Sequence, residues 1–425
     1  MKKQYFVLAC SFFFCLGGNI LNFSLVYRLA DRFTFTPGQI GAFIALGQLF
    51  YFSGCNLYQR FGSALNPGKI FPVAAVVVFL ASIPLGHAGA KPLIYASYWL
   101  LQIGTGFYWP PVMAWLTGGL NDEDLNREIG LFNRSWMGAN IVGPLLAGAL
   151  YHWNSEANFF FLNFSYFLVL AFLFLMGKYY RKFIWQEDET LASNTAAESI
   201  PETTGKTYPS GADRENSRLL RSLDKKLDLY RYRGWIGNFC SALFIGVLVN
   251  IVPLHIRDGL GYTERAAGML LFSRSAMGFI GFTILAKFRF WHFNRKWFLI
   301  TQSGLILCSI LLLITGKSLF IFIFVGVLYG FLNSACYNNS IFYAGATGKH
   351  PKKNLAFHEI VMSVGNASGT AGGGLLYQHF RLTGTCLALI LILGLGMGLL
   401  MYIDKKNENP GSASGIFSKI KAKLR

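Results

Sequence analysis

The chain has 425 residues, of which 53% are hydrophobic and only 14% are charged. Soluble proteins carry about a quarter charged residues, so this composition excludes an ordinary soluble domain and indicates a membrane protein. The formal net charge of +18 would suit a nucleic-acid-binding protein, but the positions of the basic residues, given below, argue against that explanation.

Twelve stretches of about 20 apolar residues follow one another, and each is long enough to cross a bilayer as a helix. The first six predicted helices are 5–27, 38–57, 69–87, 93–118, 130–152 and 158–179. The second six are 234–254, 266–286, 297–316, 319–344, 355–378 and 383–403. The first stretch follows a short basic N-terminus as in a signal peptide, but no small-residue cleavage site follows it, so we interpret it as an uncleaved helix.

A long polar insert separates the two sets of helices. We predict disorder from 183 to 210, where periodic apolar residues are lacking. From Asn216 onward several Leu residues share one face, which suits a helix on the inner membrane surface or a solvated linker helix. The predicted units are a six-helix bundle at 1–180, a cytoplasmic linker at 181–232, a second bundle at 233–404 and a basic tail at 405–425.

The 38 Lys and Arg residues indicate which side holds the termini. Segments on the side of the termini hold 30 of them, the other side holds seven, and Arg274 lies inside a predicted helix. Cytoplasmic loops of membrane proteins carry an excess of Lys and Arg. We therefore predict that both termini are cytoplasmic, that the protein lies in a bacterial inner membrane, and that it has no nucleic-acid partner.

Two parts of the chain occur twice at nearly the same spacing. Residues 353–380 resemble residues 127–153 at a shift of 226 positions. The matches include Asn366 with Asn140, Gly369 with Gly143, Gly374 with Gly148, and Tyr377 with Tyr151. A second set, Asp31, Phe35, Thr36 and Gly41, matches Asp258, Tyr262, Thr263 and Gly268. Chance similarity of Gly-rich apolar segments would not give two matches at one spacing, so they indicate a duplicated bundle.

Six plus six helices, a cytoplasmic insert and inside termini resemble the major facilitator superfamily. Its loop after the second helix reads G-x-x-x-D-R-x-G-R-R, and Arg60-Phe61-Gly62 resembles the centre of that loop, with Gln59 in place of the acid. Gly138, Gly143-Pro144 and Gly148 resemble the family's Gly-Pro antiporter motif with altered spacing. The resemblance implies an all-α membrane protein with twelve transmembrane helices in two pseudo-symmetric six-helix bundles.

Arg274 is the leading candidate for a binding residue. At 1.5 Å per residue it lies roughly 12 Å from the outer boundary of a core about 30 Å thick. A guanidinium there binds an anionic substrate group, pairs with a counter-ion, or is a structural Arg saturated by helix-end carbonyls. Four amides share its predicted depth: Gln48, Gln102, Asn140 and Asn366.

The resemblance implies that helices one, four, seven and ten line a cavity. These helices add the candidate substrate-binding residues Asn22, Asn250, Trp109, Asn333, Asn338 and Tyr337. Amides and flat aromatic faces suit hydroxyl-rich or heterocyclic solutes, although interhelical hydrogen bonds explain each single Asn equally well. Pro110-Pro111 predicts a break in helix four beside Trp109.

A second cluster lies near the cytoplasmic ends of the helices. Glu359 is the acid that we place inside a predicted span, next to His358, and Arg60 and Arg134 lie at the inner mouths. The resemblance implies that the second helix packs on the eleventh, so an Arg60–Glu359 pair is a candidate gate, and the Glu359 carboxylate a candidate proton carrier. The alternative is that Glu359 has no role in gating or proton transfer and is an acid near the N-terminal end of its helix, where the helix dipole favours a negative charge.

Small residues recur along helices five and eleven, which lie between the halves in the family. Gly143, Gly148, Gly365, Gly369 and Gly373 are therefore predicted to let neighbouring helices pack closely. The seven Cys are scattered without metal-like spacing, so no metal and no cofactor are expected.

The sequence allows three functions to be compared. The first is a secondary transporter that moves a small polar or anionic metabolite by alternating access, as a symporter or an antiporter, with protons as candidate coupling ions. The second, a membrane enzyme, is disfavoured because no catalytic motif is present. The third is a receptor or assembly protein that keeps the fold without transport. The expected partners are the lipid bilayer and a small-molecule substrate, and a monomer is expected.

Overall fold

The computed structural model describes residues 3–62, 65–117, 122–197, 211–288, 290–314, 316–346 and 351–406. Within these ranges the chain is built of helices and short connections, with no β-strand. The helices of the first half are α1 Lys3–Asp31, α2 Pro37–Leu57, α3 Pro67–His87, α4 Lys91–Thr117, α5 Asp122–Trp153 and α6 Ser155–Ala197. A π-helical turn, Tyr58–Gly62, extends α2.

The second half repeats this plan. Its helices are α7 Gly211–Asn250, α8 Glu264–Lys287, α9 Arg295–Ile314 and α10 Leu319–Ala346, followed by one helical stretch, Pro351–Lys406. Helical dihedral angles are interrupted in that stretch at Arg381, with φ 55° and ψ −161°, so we divide it into α11 (351–380) and α12 (382–406). A short helix, Val252–Leu254, and a π-helical turn, His255–Gly259, prolong α7.

Local sequence accounts for the start of α2. Thr36 and Gln39 form a capping box, in which each side chain accepts a hydrogen bond from the other residue's backbone N–H. Pro37 occupies the first turn, where its missing N–H costs nothing. The connection from α1 therefore ends sharply, and α2 returns antiparallel to α1.

Nine of the described helical stretches are long and apolar enough to cross a membrane. The longest, Phe357–Ile403, has 47 residues and covers both α11 and α12. Each of the twelve predicted spans falls on a helix, and the predicted twelve-helix membrane fold is confirmed.

The helices form two bundles with the same internal plan. In the first, α1 packs on α5 and α6, and α4 packs on α2 and α3. In the second, α7 packs on α10 and α11, and α8 packs on α10. The bundles meet where α2 lies against α11 and α5 lies against α8. We call the end that carries Lys3 and Lys405 the terminal face, and the end that carries residues 32–36 and 260–263 the opposite face.

Three local features differ from the sequence predictions. Helix α4 is helical through Pro110 and Pro111, so the predicted break is absent there; transmembrane helices tolerate proline because nearby groups satisfy the freed carbonyls. The predicted disorder from 183 also fails as far as Ala197, where α6 ends. The stretch from Asn216 belongs to α7 and runs on into the membrane span, so it is not a separate helix. Residues 198–210 and 407–425, which include most of the tail, lie outside the described residues.

Candidate functional site

The two halves are held together at the opposite face by an ion pair. Arg257, in the π-helical turn after α7, donates from its Nη1 and Nη2 to the two carboxylate oxygens of Asp31 at the end of α1, both at 2.8 Å. Asp258 accepts from Arg257 Nε at 2.6 Å. The guanidinium also lies 4.5 Å from the ring centroid of Tyr27, and the Tyr151 hydroxyl donates to Asp31 at 3.0 Å.

Two close glycine contacts flank this ion pair and repeat the symmetry of the sequence. A Cβ on Gly374 of α11 would lie 3.2 Å from the Cα of Gly41 in α2. A Cβ on Gly148 of α5 would lie 3.2 Å from the Cα of Gly268 in α8. Because Gly41 matches Gly268 and Gly148 matches Gly374 in the repeat, the two inter-half contacts are equivalent. At this face the backbones of opposing helices touch.

The inner helices of the two halves contact each other unequally. Within the described residues, α4 and α10 make almost no contact with each other, whereas α1 and α7 are in contact. Near the opposite face the Tyr27 hydroxyl of α1 donates to the Pro253 carbonyl at 3.2 Å. The ion pair, the two glycine contacts and this hydrogen bond therefore join the two bundles at the opposite face.

Arg274 lies in the middle of α8 and has few partners. Its Nη2 donates to Ser275 Oγ at 3.0 Å. Its Nε is buried and has no hydrogen-bond partner among the described residues, while the residue as a whole is partly exposed. None of the carboxylates that the structure describes forms an ion pair with it. A guanidinium has five N–H donors, so this group keeps donors available for a ligand.

A polar cluster on α7 and α10 lies beside Arg274. The Tyr329 hydroxyl, which has one proton to donate, lies 2.8 Å from the Ser241 carbonyl oxygen and 3.1 Å from Asn333 Oδ1. Ser241 Oγ donates to Asn333 Oδ1 at 3.0 Å. A side chain on Gly330 would collide with the Arg274 carbonyl, so α8 and α10 touch next to Tyr329. Tyr329 lies within electrostatic range of the guanidinium.

The first half offers neutral groups at a similar level. Gln48 of α2 is half-buried, and no hydrogen bond of its side chain is found within the part of the chain that the structure describes. Gln102 of α4 is buried and donates to the Tyr98 hydroxyl at 2.8 Å. Trp109 packs edge-on against Phe14, with ring centroids 5.2 Å apart. Trp109 therefore belongs to the aromatic core of its own half.

The predicted asparagines divide into structural and accessible ones. Asn250 is buried and donates to Thr370 Oγ1 at 3.0 Å, which joins α7 to α11. Asn140 accepts from Asn19 at 2.7 Å, which joins α5 to α1. By contrast the side chain of Asn22 is exposed, and Asn338 is half-buried. Tyr337 packs edge-on against His358 at a centroid distance of 5.0 Å.

The side chains of His358 and Glu359 lie in different environments, the first buried and the second exposed. His358 is buried, and its Nδ1 lies 2.7 Å from Ser340 Oγ and 3.4 Å from Asn238 Nδ2. Its Nε2 lies 3.8 Å from Glu359 Oε1 and forms no hydrogen bond within the part of the chain that the structure describes. The Glu359 side chain is 55% exposed. Tyr51 and Cys55 of α2 lie within electrostatic range of its carboxylate.

The candidate gate is not closed in this conformation. Arg60, which the structure describes together with Glu359, forms no ion pair with it; its guanidinium lies 5.4 Å from the ring centroid of Phe61. Arg134 is exposed on α5. The gate therefore stays a prediction about another conformation.

The predicted packing glycines lie at two kinds of helix contact, within one half and between the halves. Gly365, Gly369 and Gly373 face α7 within the second half, where a Cβ would meet Phe239, Leu243 and Val247 respectively. Gly143 faces Asn19 of α1 within the first half. Of the five predicted glycines, Gly148 reaches across to the other half.

Several important residues were missed in the sequence. Ser241 and Tyr329 complete the cluster beside Arg274, but single polar residues in apolar helices give no sign of which face they occupy. The repeat matches Asp31 with Asp258, but the sequence shows Arg257 only as one basic residue in the connection between two predicted helices. Within the described residues, no group of three or more His, Cys, Asp or Glu side chains could hold a metal ion.

Comparisons with known proteins agree with this architecture. The sequence pattern of the Major Facilitator Superfamily matches residues 7–233 and 234–423. No curated protein sequence matches the chain.

Solved structures with the same fold have low sequence identity. A POT family transporter in complex with 5-aminolevulinic acid has a TM-score of 0.67 and 14% identity, over 94% of this chain and 95% of that one. A bacterial homologue of the human lysosomal transporter Spinster, inward-facing and occupied, has a TM-score of 0.67 and 12% identity, over 95% and 98%. A mutant of the nucleoside transporter NupG has a TM-score of 0.67 and 9% identity, over 95% and 100%.

Proposed function

The chain belongs to the major facilitator superfamily, and from this premise we propose that it is a secondary transporter, which moves a small polar or anionic metabolite by alternating access. It is a multi-pass membrane protein with the fold of transporters. In the proposed mechanism the bundles at 1–180 and 233–404 rock about a central site, which opens to one side at a time. The linker at 181–232 connects the two moving units, and the tail at 405–425 follows the second.

One observation carries this proposal: Arg274, half-way along α8, lacks an ion-pair partner among the described residues and keeps a buried Nε without a hydrogen bond. A charge at that depth is costly unless something pairs with it. A purely structural Arg would be saturated by carbonyls or by a carboxylate. A mobile anion that enters between the bundles supplies the missing partner.

The distribution of Lys and Arg supports a cytoplasmic terminal face in a bacterial inner membrane. With this orientation, the Asp31–Arg257 pair closes the outer side, and the conformation corresponds to the inward-facing state. Glu359, near the inner mouth, is the proposed proton carrier, so transport is coupled to protons. The proposed unit is a monomer, because each chain contains both bundles.

A second candidate function is a receptor or assembly protein that keeps the fold without transport. The altered loop after α2, where Gln59 stands in place of the family's acid, favours this alternative. An enzyme is not proposed, because the sequence carries no catalytic motif and the Ser340 hydroxyl that contacts His358 is buried.

Reconstitution into proteoliposomes separates transport from reception. Small anions and polar metabolites are first screened for saturable thermal stabilisation of the purified protein, and a stabilising compound is then used as labelled substrate. We expect saturable uptake that is accelerated by unlabelled substrate inside the vesicles. The matched control carries Cys at positions 31 and 257, joined by a reducible thiol cross-linker, after replacement of the seven native cysteines. Cross-linking should stop uptake and reduction should restore it. Binding without any flux would support the receptor instead.

A further inference from the structure

The positions of charged residues in the membrane-spanning helices limit which charged groups a substrate can carry. This inference rests on the proposed function. The chain has 20 Asp and Glu residues. Among those that the structure describes, all except Glu359 lie at helix ends, in connections or beyond the apolar spans. Glu359 is therefore the carboxylate to consider as a partner for a substrate ammonium while Arg274 binds the anionic group.

Glu359 and Arg274 lie at different depths. Arg274 follows the opposite-face start of α8, Glu264, by ten residues, which places it about 15 Å from that end at 1.5 Å per residue. Glu359 precedes the opposite-face end of α11, residue 380, by 21 residues, which places it about 31 Å from that end. A separation of about 16 Å in depth is too long for the two groups to hold the opposite charges of one small zwitterion.

The groups around Arg274 are neutral hydrogen-bonding groups. On its own half they are the Ser275 and Tyr329 hydroxyls and the Asn333 amide. On the first half, Gln48 and the Gln102–Tyr98 pair lie at a similar level. Such groups contact hydroxyls and carbonyls of a solute, but they do not compensate an ammonium in a site of low dielectric constant.

We propose that the Arg274 site takes an oxyanion that carries no ammonium group. Two parallel N–H donors of a guanidinium match two oxygens of a carboxylate, sulfate or phosphate. A zwitterionic amino acid or peptide also brings an ammonium, which finds no carboxylate at this depth. The site therefore selects anions and rejects zwitterions.

Inorganic sulfate serves as the probe, because it presents only the oxyanion. Thermal unfolding of the purified full-length protein is measured against sulfate concentration, with sodium chloride at matched ionic strength as the reference. We expect a saturable rise in Tm for the wild type and for Lys287→Gln, which removes a cation from the terminal-face end of the same helix. Arg274→Gln should show no rise beyond the chloride reference. No saturable rise in the wild type, or an equal rise in Arg274→Gln, would overturn the proposal.

Two further measurements keep the result decisive. Arg274→Lys retains the charge and the fold but loses the pair of parallel N–H donors. It should therefore need at least about tenfold more sulfate for half-saturation, because a tenfold change corresponds to the loss of one charge-assisted hydrogen bond. Glycylglycine is the zwitterionic probe, and stabilisation by it as strong as that by sulfate would refute the selection against ammonium groups. These readouts do not involve flux. Sulfate binding without transport of any anion would therefore count against the transporter and not against the oxyanion site.

Discussion

The guanidinium of Arg257 binds both carboxylate oxygens of Asp31, each at 2.8 Å, across the line where the two halves of the protein meet. The Arg257 side chain is 16% exposed and that of Asp31 is 48% exposed, so solvent screens the pair in part. A two-pronged pair of this kind contributes at the upper end of the range for accessible ion pairs, about 1 kcal/mol. Its main effect is to favour one arrangement of the halves over another.

Arg257→Gln should therefore shift the protein about fivefold toward the state that is open at the opposite face, which is the population change that corresponds to about 1 kcal/mol. The measurement is the rate at which a membrane-impermeant thiol reagent, added from the opposite side, labels Cys placed at Asn22. Asp31→Asn should give a similar increase, and the double variant should add little. The control is Arg32→Gln, because Arg32 pairs with Glu156 inside the first half. Equal labelling in Arg257→Gln and in the wild type would contradict this role.

Gly374→Ala should hinder closure of the opposite face. The added Cβ would collide with the Pro37 carbonyl and lie 3.2 Å from the Cα of Gly41, and these backbone atoms cannot rotate away. Overpacking of this kind costs typically about 1–3 kcal/mol. Transport should fall, and labelling from the opposite side should rise. Gly372→Ala is the matched control, since a Cβ at that position has no neighbour within 4 Å.

The repeat symmetry adds a test to the same experiment. Gly148→Ala, at the equivalent contact between α5 and α8, should act in the same direction, because its Cβ would lie 3.2 Å from the Cα of Gly268. If Gly372→Ala impairs transport as much as Gly374→Ala does, the glycines act on helix stability and not on closure.

The overall architecture could be predicted from sequence because it depends on hydrophobicity and similarity over stretches of about 20 residues, not on single side chains. Twelve apolar stretches and a repeat at a shift of 226 are visible without knowing which way any side chain points. The repeat even paired Gly41 with Gly268 and Gly148 with Gly374. That these four residues meet crosswise, Gly41 on Gly374 and Gly148 on Gly268, follows from the packing of the two bundles and needs the structure.

The site could be predicted only in part, because an apolar helix carries little information about its faces. Arg274 was recognisable from its charge alone. Asn250 and Gln102 have the same chemistry as Asn333, but Asn250 and Gln102 are buried whereas Asn333 is partly exposed. Prolines 110 and 111 suggested a break because local rules disfavour them in helices, and the surrounding bundle overrides those rules.

Membrane topology can be tested independently of transport. Single cysteines at Ser210 and Ser412 should react with an impermeant thiol reagent only from the cytoplasmic side, because the flanking segments carry the excess of Lys and Arg. A cysteine at Lys317, which is exposed before α10 on the opposite face, should react only from outside. Labelling of Ser210→Cys or Ser412→Cys from outside would reverse the orientation, and with it the assignment of the conformation as inward-facing.

The last prediction concerns the coupling of transport to protons. The Glu359 carboxylate lies 3.8 Å from Nε2 of the buried His358, near the mouth that faces the terminal side, and its side chain is 55% exposed here. When the halves close at this face, α2 and Arg60 approach it and its surroundings change. Proton binding then differs between the two states. A difference of one pKa unit between states corresponds to about 1.4 kcal/mol, enough to bias the equilibrium about tenfold.

Glu359→Gln imitates the protonated acid in both states, so it should abolish accumulation of substrate driven by a proton gradient. Exchange of labelled for unlabelled substrate needs no net proton movement and should continue. Both are measured in proteoliposomes, with Asp228→Asn as control, because Asp228 is a carboxylate at the same face that pairs with Arg231 at 3.0 Å. If Glu359→Gln still accumulates substrate at the wild-type level, Glu359 does not carry the coupled proton. The protein then works as a uniporter or uses another ion.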